Sequence, residues 1–220
     1  MGESICGIRN LRCAHFFLIG EGLYDYRRWV SYSDIRRSGY HIRLGSYDFR
    51  DTEKYEYFKI CDHGIRNTHH YLDEILDMAP TEENQAELLD EIEELFALDT
   101  FMGQTDRIWS NVLFERDKET REIHLAPIYD FEYSLKRCYL DPNKVYDNIL
   151  LPFYSGEDYL EFIKEHPEFV GKLKSYLDVD LVGTIQKSYA DKRLCVPESK
   201  LPFYQDFEHD RKEFIKSIIK

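Results

Sequence analysis

The sequence predicts an α+β fold that is mainly helical, with a small sheet near the N-terminus and one β-hairpin near the middle of the chain. Three observations predict it. Apolar residues recur at helical spacing in several segments, two short apolar runs flank a polar turn at 116–121, and two more stand within the first 32 residues. With 220 residues, the chain can bury one substantial core.

The N-terminal part predicts two strands, at 13–19 and 26–32, with Glu21-Gly22 in the turn between them. A basic stretch follows. We interpret it as a solvated strand face, and the alternative is a contact with phosphate or with an acidic partner. Residues 48–62 are polar and rich in tyrosine, so we expect a loop that leads into the segment around Ile60. The basic stretch comprises Arg27, Arg28, Arg36, Arg37 and Arg43.

A helix is predicted over residues 69–78, because its apolar residues fall on one side. His63, His69 and His70 lie around its start, but their spacing fits no common zinc motif, so we interpret them as a solvated helix start. The apolar side carries Tyr71, Leu72, Ile75 and Leu76.

A second, longer helix is predicted after the break at Pro80-Thr81, with Glu82-Glu83 at its start, where negative charge is favourable. It delivers the chain to Gly103, whose freedom at positive φ suits a sharp exit. Its acidic residues are expected to form a solvated face. The apolar stripe is Leu88, Leu89, Ile92, Leu95 and Phe96, and the acidic residues are Asp90, Glu91, Glu93 and Glu94.

The last third of the chain predicts four helices, whose apolar stripes indicate core packing. The stretch 196–200 is expected to connect the last helix to the rest. The predicted ranges are 158–165, 168–176, 181–191 and 205–219.

Composition excludes several classes of protein. A net charge of −13 argues against direct nucleic-acid binding, which needs clustered Lys and Arg. The sequence contains no run of 18 apolar residues, so it predicts no membrane span. The N-terminus lacks the layout of a secretory signal. An odd number of cysteines without a C-x-x-C pair argues against a disulfide framework and structural zinc, so we expect buried thiols in a reducing cytoplasm. The five are Cys6, Cys13, Cys61, Cys138 and Cys195.

The candidate site combines Asp106, Asn111 and Asp130. Residues 111–115 predict one strand, and 122–125 with 128–129 predict its partner. An antiparallel hairpin brings the start of its first strand beside the end of its second, so Asn111 and Asp130 are predicted neighbours, with Asp106 on the loop just before. Such oxygen ligands suit Mg²⁺, which completes its shell with phosphate and water. The alternative is that these are ordinary turn and cap residues.

The flanking sequence resembles the C-terminal domain of the HipA-like kinases, most strongly over about 100–135. The residues that carry the resemblance are Phe-Met-Gly-Gln-Thr-Asp-Arg at 101–107, Asn-Val-Leu-Phe at 111–114 and Leu-Ala-Pro-Ile-Tyr-Asp-Phe at 125–131. By resemblance, Asp106 is the catalytic Asp, and Asn111 with Asp130 binds Mg²⁺. The chain departs from the family at Ile108, where many relatives have His. It also has Glu132 where many kinases have Gly.

The resemblance implies a mainly helical kinase-like C-lobe at 41–220 and a remnant of the N-lobe and hinge at 1–40. Ser33 and Asp34 would contact adenine at the hinge. The implied cofactors are ATP and Mg²⁺, and the implied substrate is a Ser or Thr of a protein, with a lipid or small-molecule acceptor as the alternative.

A complete kinase also needs a Gly-rich loop and a strand Lys, and we recognise neither in this sequence. One hypothesis is therefore a truncated or split kinase, partnered by a separate N-lobe or antitoxin-like polypeptide. The other is a catalytically silent nucleotide-binding or scaffold domain.

Overall fold

The computed structural model describes residues 43–44, 47–48, 53–60, 68–104, 107–126, 128, 134–135, 156–191 and 193–220. The described part is mostly helical and contains small antiparallel sheets, which confirms the coarse α+β prediction. The strands are β1 (Arg43–Leu44), β2 (Tyr47–Asp48), β3 (Tyr55–Phe58), β4 (Phe114–Asp117) and β5 (Ile123–Leu125). The helices are α1 (Thr68–Leu76), α2 (Glu82–Met102), α3 (Gly156–Glu165), α4 (Pro167–Ser175), α5 (Leu181–Asp191) and α6 (Leu201–Ile218).

Helix α2 begins and ends where the sequence predicts. The side chain of Thr81 accepts a hydrogen bond from the Asn84 N–H at 3.1 Å, which satisfies one of the free amides of the first turn. At the other end Gly103 has φ 59° and ψ 38°, a left-handed conformation in which its N–H reaches the Thr100 carbonyl. The chain can therefore leave a buried helix abruptly at Gly103.

The prediction of a solvated acidic face on α2 is wrong for Glu93 and Glu94, whereas Asp90 keeps a solvated side chain. Every residue from 92 to 102 is buried, and Glu93 and Glu94 are only 3% and 5% exposed. Helix α2 contacts β5 on one side and α4 and α6 on others, so its second half is covered all round. Helical periodicity identified the apolar stripe correctly, but it could not show that other elements would cover the acidic side as well.

The three-stranded sheet has the order β3–β4–β5 and is antiparallel throughout. Phe114, in the central strand, pairs with Phe58 on β3 and with Leu125 on β5. The loop predicted over 48–62 is therefore wrong at β3, because Tyr55 and Tyr57 are half-buried there as a pleated strand allows. The partner that stabilises β3 lies about sixty residues further along the chain, so the local sequence gave no sign of it.

The four C-terminal helices are confirmed, with shifts at their ends. Helix α4 begins at Pro167 and α6 at Leu201, one and four residues earlier than predicted. Both have a proline in the first turn, where a missing amide costs nothing. A single 3-10 turn, Glu198–Lys200, lies in the predicted connection. The core side chains of these helices include Phe162, Phe169, Leu173, Leu181, Ile185, Phe207 and Ile215.

The histidines at the start of α1 behave differently from one another. His69 is half-buried and lies 3.4 Å from Asp158 Oδ1 and 3.5 Å from Glu165 Oε2, so it packs against α3. His70 is exposed, as a solvated helix start predicts, and His63 lies outside the described residues. The interpretation of a fully solvated helix start is therefore wrong for His69.

The structure bears on two expectations, one about buried cysteines and one about membrane spans. Cys195 is a free thiol but is exposed, so the prediction of buried thiols is wrong for this residue. Among the described helices, none is long and apolar enough to cross a bilayer. The cysteines outside the described residues are Cys6, Cys13, Cys61 and Cys138.

Candidate functional site

The predicted hairpin is present in strands β4 and β5. Beyond the paired strands, the Asp117 N–H donates to the Glu122 carbonyl and the Ala126 N–H donates to the Leu113 carbonyl, both at 2.9 Å. The first strand begins at Phe114, three residues later than predicted, because Trp109–Asn111 forms a 3-10 turn. If the register is continued towards the base of the hairpin, Asn111 aligns with Ile128, two residues before Asp130 in sequence.

Among the described elements, it is side chains of α2 that bond to the outer edge of β5. In this ladder Ile123 and Leu125 point their backbone groups away from β4. The Asn84 side chain donates to the Ile123 carbonyl and accepts from the Ile123 N–H, both at 2.9 Å. Glu91 Oε2 accepts from the Leu125 N–H at 2.7 Å. The hairpin is thus bonded directly to the helix that leads into the candidate catalytic loop.

Arg107, the residue after Asp106, is fully buried and forms a two-pronged ion pair with Asp99 on α2. Its Nε donates to Asp99 Oδ2 at 2.8 Å and its Nη2 donates to Oδ1 at 3.2 Å. Burial raises the pKa of the Asp99 carboxyl above its usual range, and the guanidinium of Arg107 opposes that rise. Two parallel hydrogen bonds fix the plane of the guanidinium relative to the helix.

The segment from Arg107 to Asn111 is also held by hydrogen bonds between its own residues. Arg107 Nη1 donates to the backbone carbonyl of Asn111 at 3.2 Å, and the Asn111 N–H donates to the Ile108 carbonyl at 2.8 Å. Between them Trp109 is buried, with its ring centroid 5.8 Å from that of Tyr71 and 5.9 Å from that of Phe96. The backbone that carries Asn111 is therefore held by one ion pair and by one buried indole.

Thr100 fixes the end of α2 to two other helices. Its hydroxyl lies 2.8 Å from the Tyr159 hydroxyl of α3, and its carbonyl accepts a hydrogen bond from Arg211 of α6. Burial raises the pKa of Tyr159 well above its usual range, so the phenol stays protonated at every physiological pH. A positive Arg211 beside the last carbonyls of a helix is also favourable with the helix dipole. Asp99, one residue earlier, consequently stands on a rigid support.

Of the predicted site residues, the structure describes Asn111, which lies at the base of the hairpin with its backbone bonded to Arg107. The other four predicted site residues lie outside the described residues: Asp106, Asp130, Ser33 and Asp34. Their roles, and the proximity of Asp130 to Asn111, remain predictions. Within the described ranges no group of three or more His, Cys, Asp or Glu could hold a metal ion.

Sequence reasoning missed the pair of Asp99 and Arg107. A signal was present, because Asp99 is the one charged residue in the run 95–102, which is apolar apart from Asp99 and Thr100, and acidic residues are almost never buried without a partner. Asn84 was missed too, and nothing in its local sequence distinguishes it from an exposed helix residue.

Comparison of the chain with family models, with curated proteins and with solved structures finds no match. The resemblance to HipA-like kinases therefore depends on the phrases between residues 100 and 135 alone. Within that range, the structure describes the hairpin and the segment after Asp106, and these are the parts on which a functional proposal can be built.

Proposed function

We propose that the protein is a Mg²⁺-dependent phosphotransferase of the HipA-like type. It transfers the γ-phosphate of ATP to a Ser or Thr hydroxyl of a protein substrate. In this proposal Asp106 orients the acceptor hydroxyl, while Asn111 and Asp130 hold the metal ion. The observation that supports it best is the buried Arg107, which ties the segment after Asp106 both to α2 and to the backbone of Asn111.

This chemistry needs catalytic and metal-binding groups that are held in fixed positions. Phosphoryl transfer depends on positioning and on charge neutralisation much more than on covalent chemistry by the protein. A displacement of about 1 Å in a reacting group can cost on the order of a hundredfold in rate. Here the carboxamide of Asn111 stands on backbone held by Arg107 and Trp109, and the hairpin that leads towards Asp130 is bonded to Asn84.

The bonding changes are simple. The acceptor oxygen forms a bond with the γ-phosphorus as the bond from that phosphorus to the bridging oxygen of ADP breaks. The proton of the acceptor hydroxyl passes to Asp106. Asn111 and Asp130 would hold Mg²⁺, which would supply positive charge to the phosphate groups. The products are a phosphorylated protein and ADP, and no other reactant is required.

The alternative is a catalytically silent nucleotide-binding or scaffold domain. Two sequence features favour it: Glu132 stands where many kinases have Gly, and no Gly-rich loop or strand Lys is recognised. We propose that the active form is completed by a partner polypeptide that supplies these parts, in the cytoplasm. The test must therefore include candidate partners as well as the chain alone.

The test is transfer from Mg²⁺ and γ-labelled ATP to the chain itself and to dephosphorylated casein, with and without candidate partner polypeptides. Asp106→Asn, Asp130→Asn and Asn111→Ala should each lower the rate about a hundredfold or more. Asp73→Asn is the matched control, because Asp73 is exposed on α1, and it should leave the rate unchanged.

Two results would count against the proposed activity. Undiminished transfer by both Asp106→Asn and Asp130→Asn would show that the chemistry lies elsewhere. Binding of Mg²⁺-ATP without transfer under any condition would favour the silent domain instead.

A further inference from the structure

We infer that Arg107 is a positioning residue, which sets the geometry of the candidate catalytic segment through two simultaneous connections. This inference depends on the proposed function for its catalytic consequence. Its structural part concerns only described residues. Arg107 donates two hydrogen bonds to the Asp99 carboxylate and one to the Asn111 carbonyl.

The first connection joins the segment to a fixed point. Asp99 lies in the last turn of α2, one residue before Thr100, whose hydroxyl and carbonyl contact α3 and α6. Because the guanidinium is planar and meets both carboxylate oxygens, it cannot rotate without breaking a bond. The position of Arg107 is thereby set by the helix.

The second connection passes this constraint along the segment. Arg107 Nη1 reaches the Asn111 carbonyl, four residues on, at 3.2 Å, while the Asn111 N–H is bonded to Ile108. One side chain therefore fixes the first residue after Asp106 and the backbone of Asn111 together. One buried guanidinium thus sets the position of residue 107 relative to the backbone of Asn111.

A merely structural ion pair would stabilise the fold and do no more. The two roles differ when the pair is replaced by apolar side chains of similar size, since such replacements of buried pairs are often neutral for stability. If the pair only stabilises the fold, a double variant of normal stability should also have normal activity. If Arg107 positions the segment, activity should stay low, because an apolar side chain at 107 cannot donate to the Asn111 carbonyl.

The experiment uses the Arg107→Lys variant and the Asp99→Leu/Arg107→Met double variant of the full chain, in the conditions under which wild type transfers phosphate. Lysine keeps the charge but offers a point donor instead of a fork. Arg116→Lys is the matched control, because Arg116 is a half-buried arginine on β4. The measurements are Tm, kcat and KM for ATP, and hydrogen exchange of the Asn111 and Val112 amides.

Positioning predicts that the double variant melts close to wild type, yet its kcat stays about 10–100-fold low with little change in KM. The Asn111 and Val112 amides should exchange faster in both Arg107 variants, and Arg116→Lys should match wild type. Recovery of kcat together with Tm in the double variant would overturn the inference. If the double variant does not fold, wild-type kcat and exchange in Arg107→Lys would overturn it as well.

Failure of the proposed function is distinguishable from failure of this inference. If wild type transfers no phosphate under any condition, the function fails, and the exchange rates still decide the role of Arg107. Unchanged exchange of the Asn111 amide in the Arg107 variants would then refute the positioning role by itself.

Discussion

The two halves of α2 use their polar residues in opposite ways. In the first half, residues 82–91, most polar side chains are exposed or half-buried, and Glu91 and the buried Asn84 bond to the backbone of β5. In the second half, residues 92–102, acidic groups are buried against side chains of other elements. Glu93 lies 2.9 Å from His166 Nδ1, Glu94 accepts from the Tyr176 hydroxyl at 3.1 Å, and Asp99 pairs with Arg107.

The comparison shows where on this helix burial of a charge lowers the stability of the fold. A carboxylate that leaves water loses solvation, and only a close partner with good geometry offsets that loss. An exposed acid of the first half, such as Glu87, can lose its charge at little cost. In the second half, the Asp99 carboxylate and its Arg107 partner must be present together, because either one alone would be a buried charge without a counter-charge.

The largest effect should follow removal of one member of the buried pair. Asp99→Ala leaves the Arg107 guanidinium buried without its counter-charge, so we expect the free energy of unfolding to fall by roughly 3–5 kcal/mol. Glu87→Ala removes the same charge from an exposed position of the first half and should change it by less than about 0.5 kcal/mol. Urea denaturation of both variants measures the contrast, and equal losses would refute it.

A smaller effect is expected at the edge of β5. Asn84→Ala removes both hydrogen bonds to the backbone of Ile123, which is fully buried, and we expect a loss of roughly 2–4 kcal/mol, from the lower part of the range of about 1–3 kcal/mol for each of two unsatisfied groups. Gln85→Ala, at the neighbouring helix position, is the matched control and should be nearly neutral. A nearly neutral Asn84→Ala would show that the helix does not stabilise the hairpin through these bonds.

The smallest effect is a dependence of stability on pH through Glu94. Burial raises the pKa of Glu94, while Tyr176 and Lys172 oppose the rise. The folded state therefore binds this proton more readily than the unfolded state, so the contribution of Glu94 to stability falls as pH rises through its raised pKa. Glu94→Gln should accordingly have a higher Tm than wild type at neutral pH, and the gain should vanish under acid conditions.

The control for this pH effect is Glu87→Gln, which makes the same change on the exposed first half. Its Tm at neutral pH should match that of wild type, because the Glu87 side chain is exposed. A gain for Glu94→Gln that grows on acidification would contradict the direction of the shift.

Local signals were enough for most of the helices. The break at Pro80-Thr81, the acidic first turn and the glycine at 103 define α2 within a few residues each, and its two ends are where the sequence predicts. The hairpin was also predictable, because a polar turn and two apolar runs lie within fifteen residues. Here propensity and tertiary packing favour the same structure.

Nonlocal contacts account for what the sequence did not reveal. Strand β3 exists because β4 pairs with it. The buried acids Glu93 and Glu94 find their partners in His166 and Tyr176, which flank the two ends of α4. In the candidate site the order of Asp106, Asn111 and Asp130 was visible in the sequence, and the structure adds the contacts that hold the backbone of Asn111. The ion pair of Asp99 with Arg107 spans only eight residues, yet two residue types alone do not specify a bidentate geometry.

The bonds from Asn84 and Glu91 to β5 have a consequence for assembly. A strand at the border of a sheet ordinarily offers a row of free amides and carbonyls, to which a strand from another molecule can add. At β5 that row is already occupied by a helix of the same chain. An incoming peptide would have to displace two side chains before it could extend the sheet there, so this border is protected against fibre-like growth.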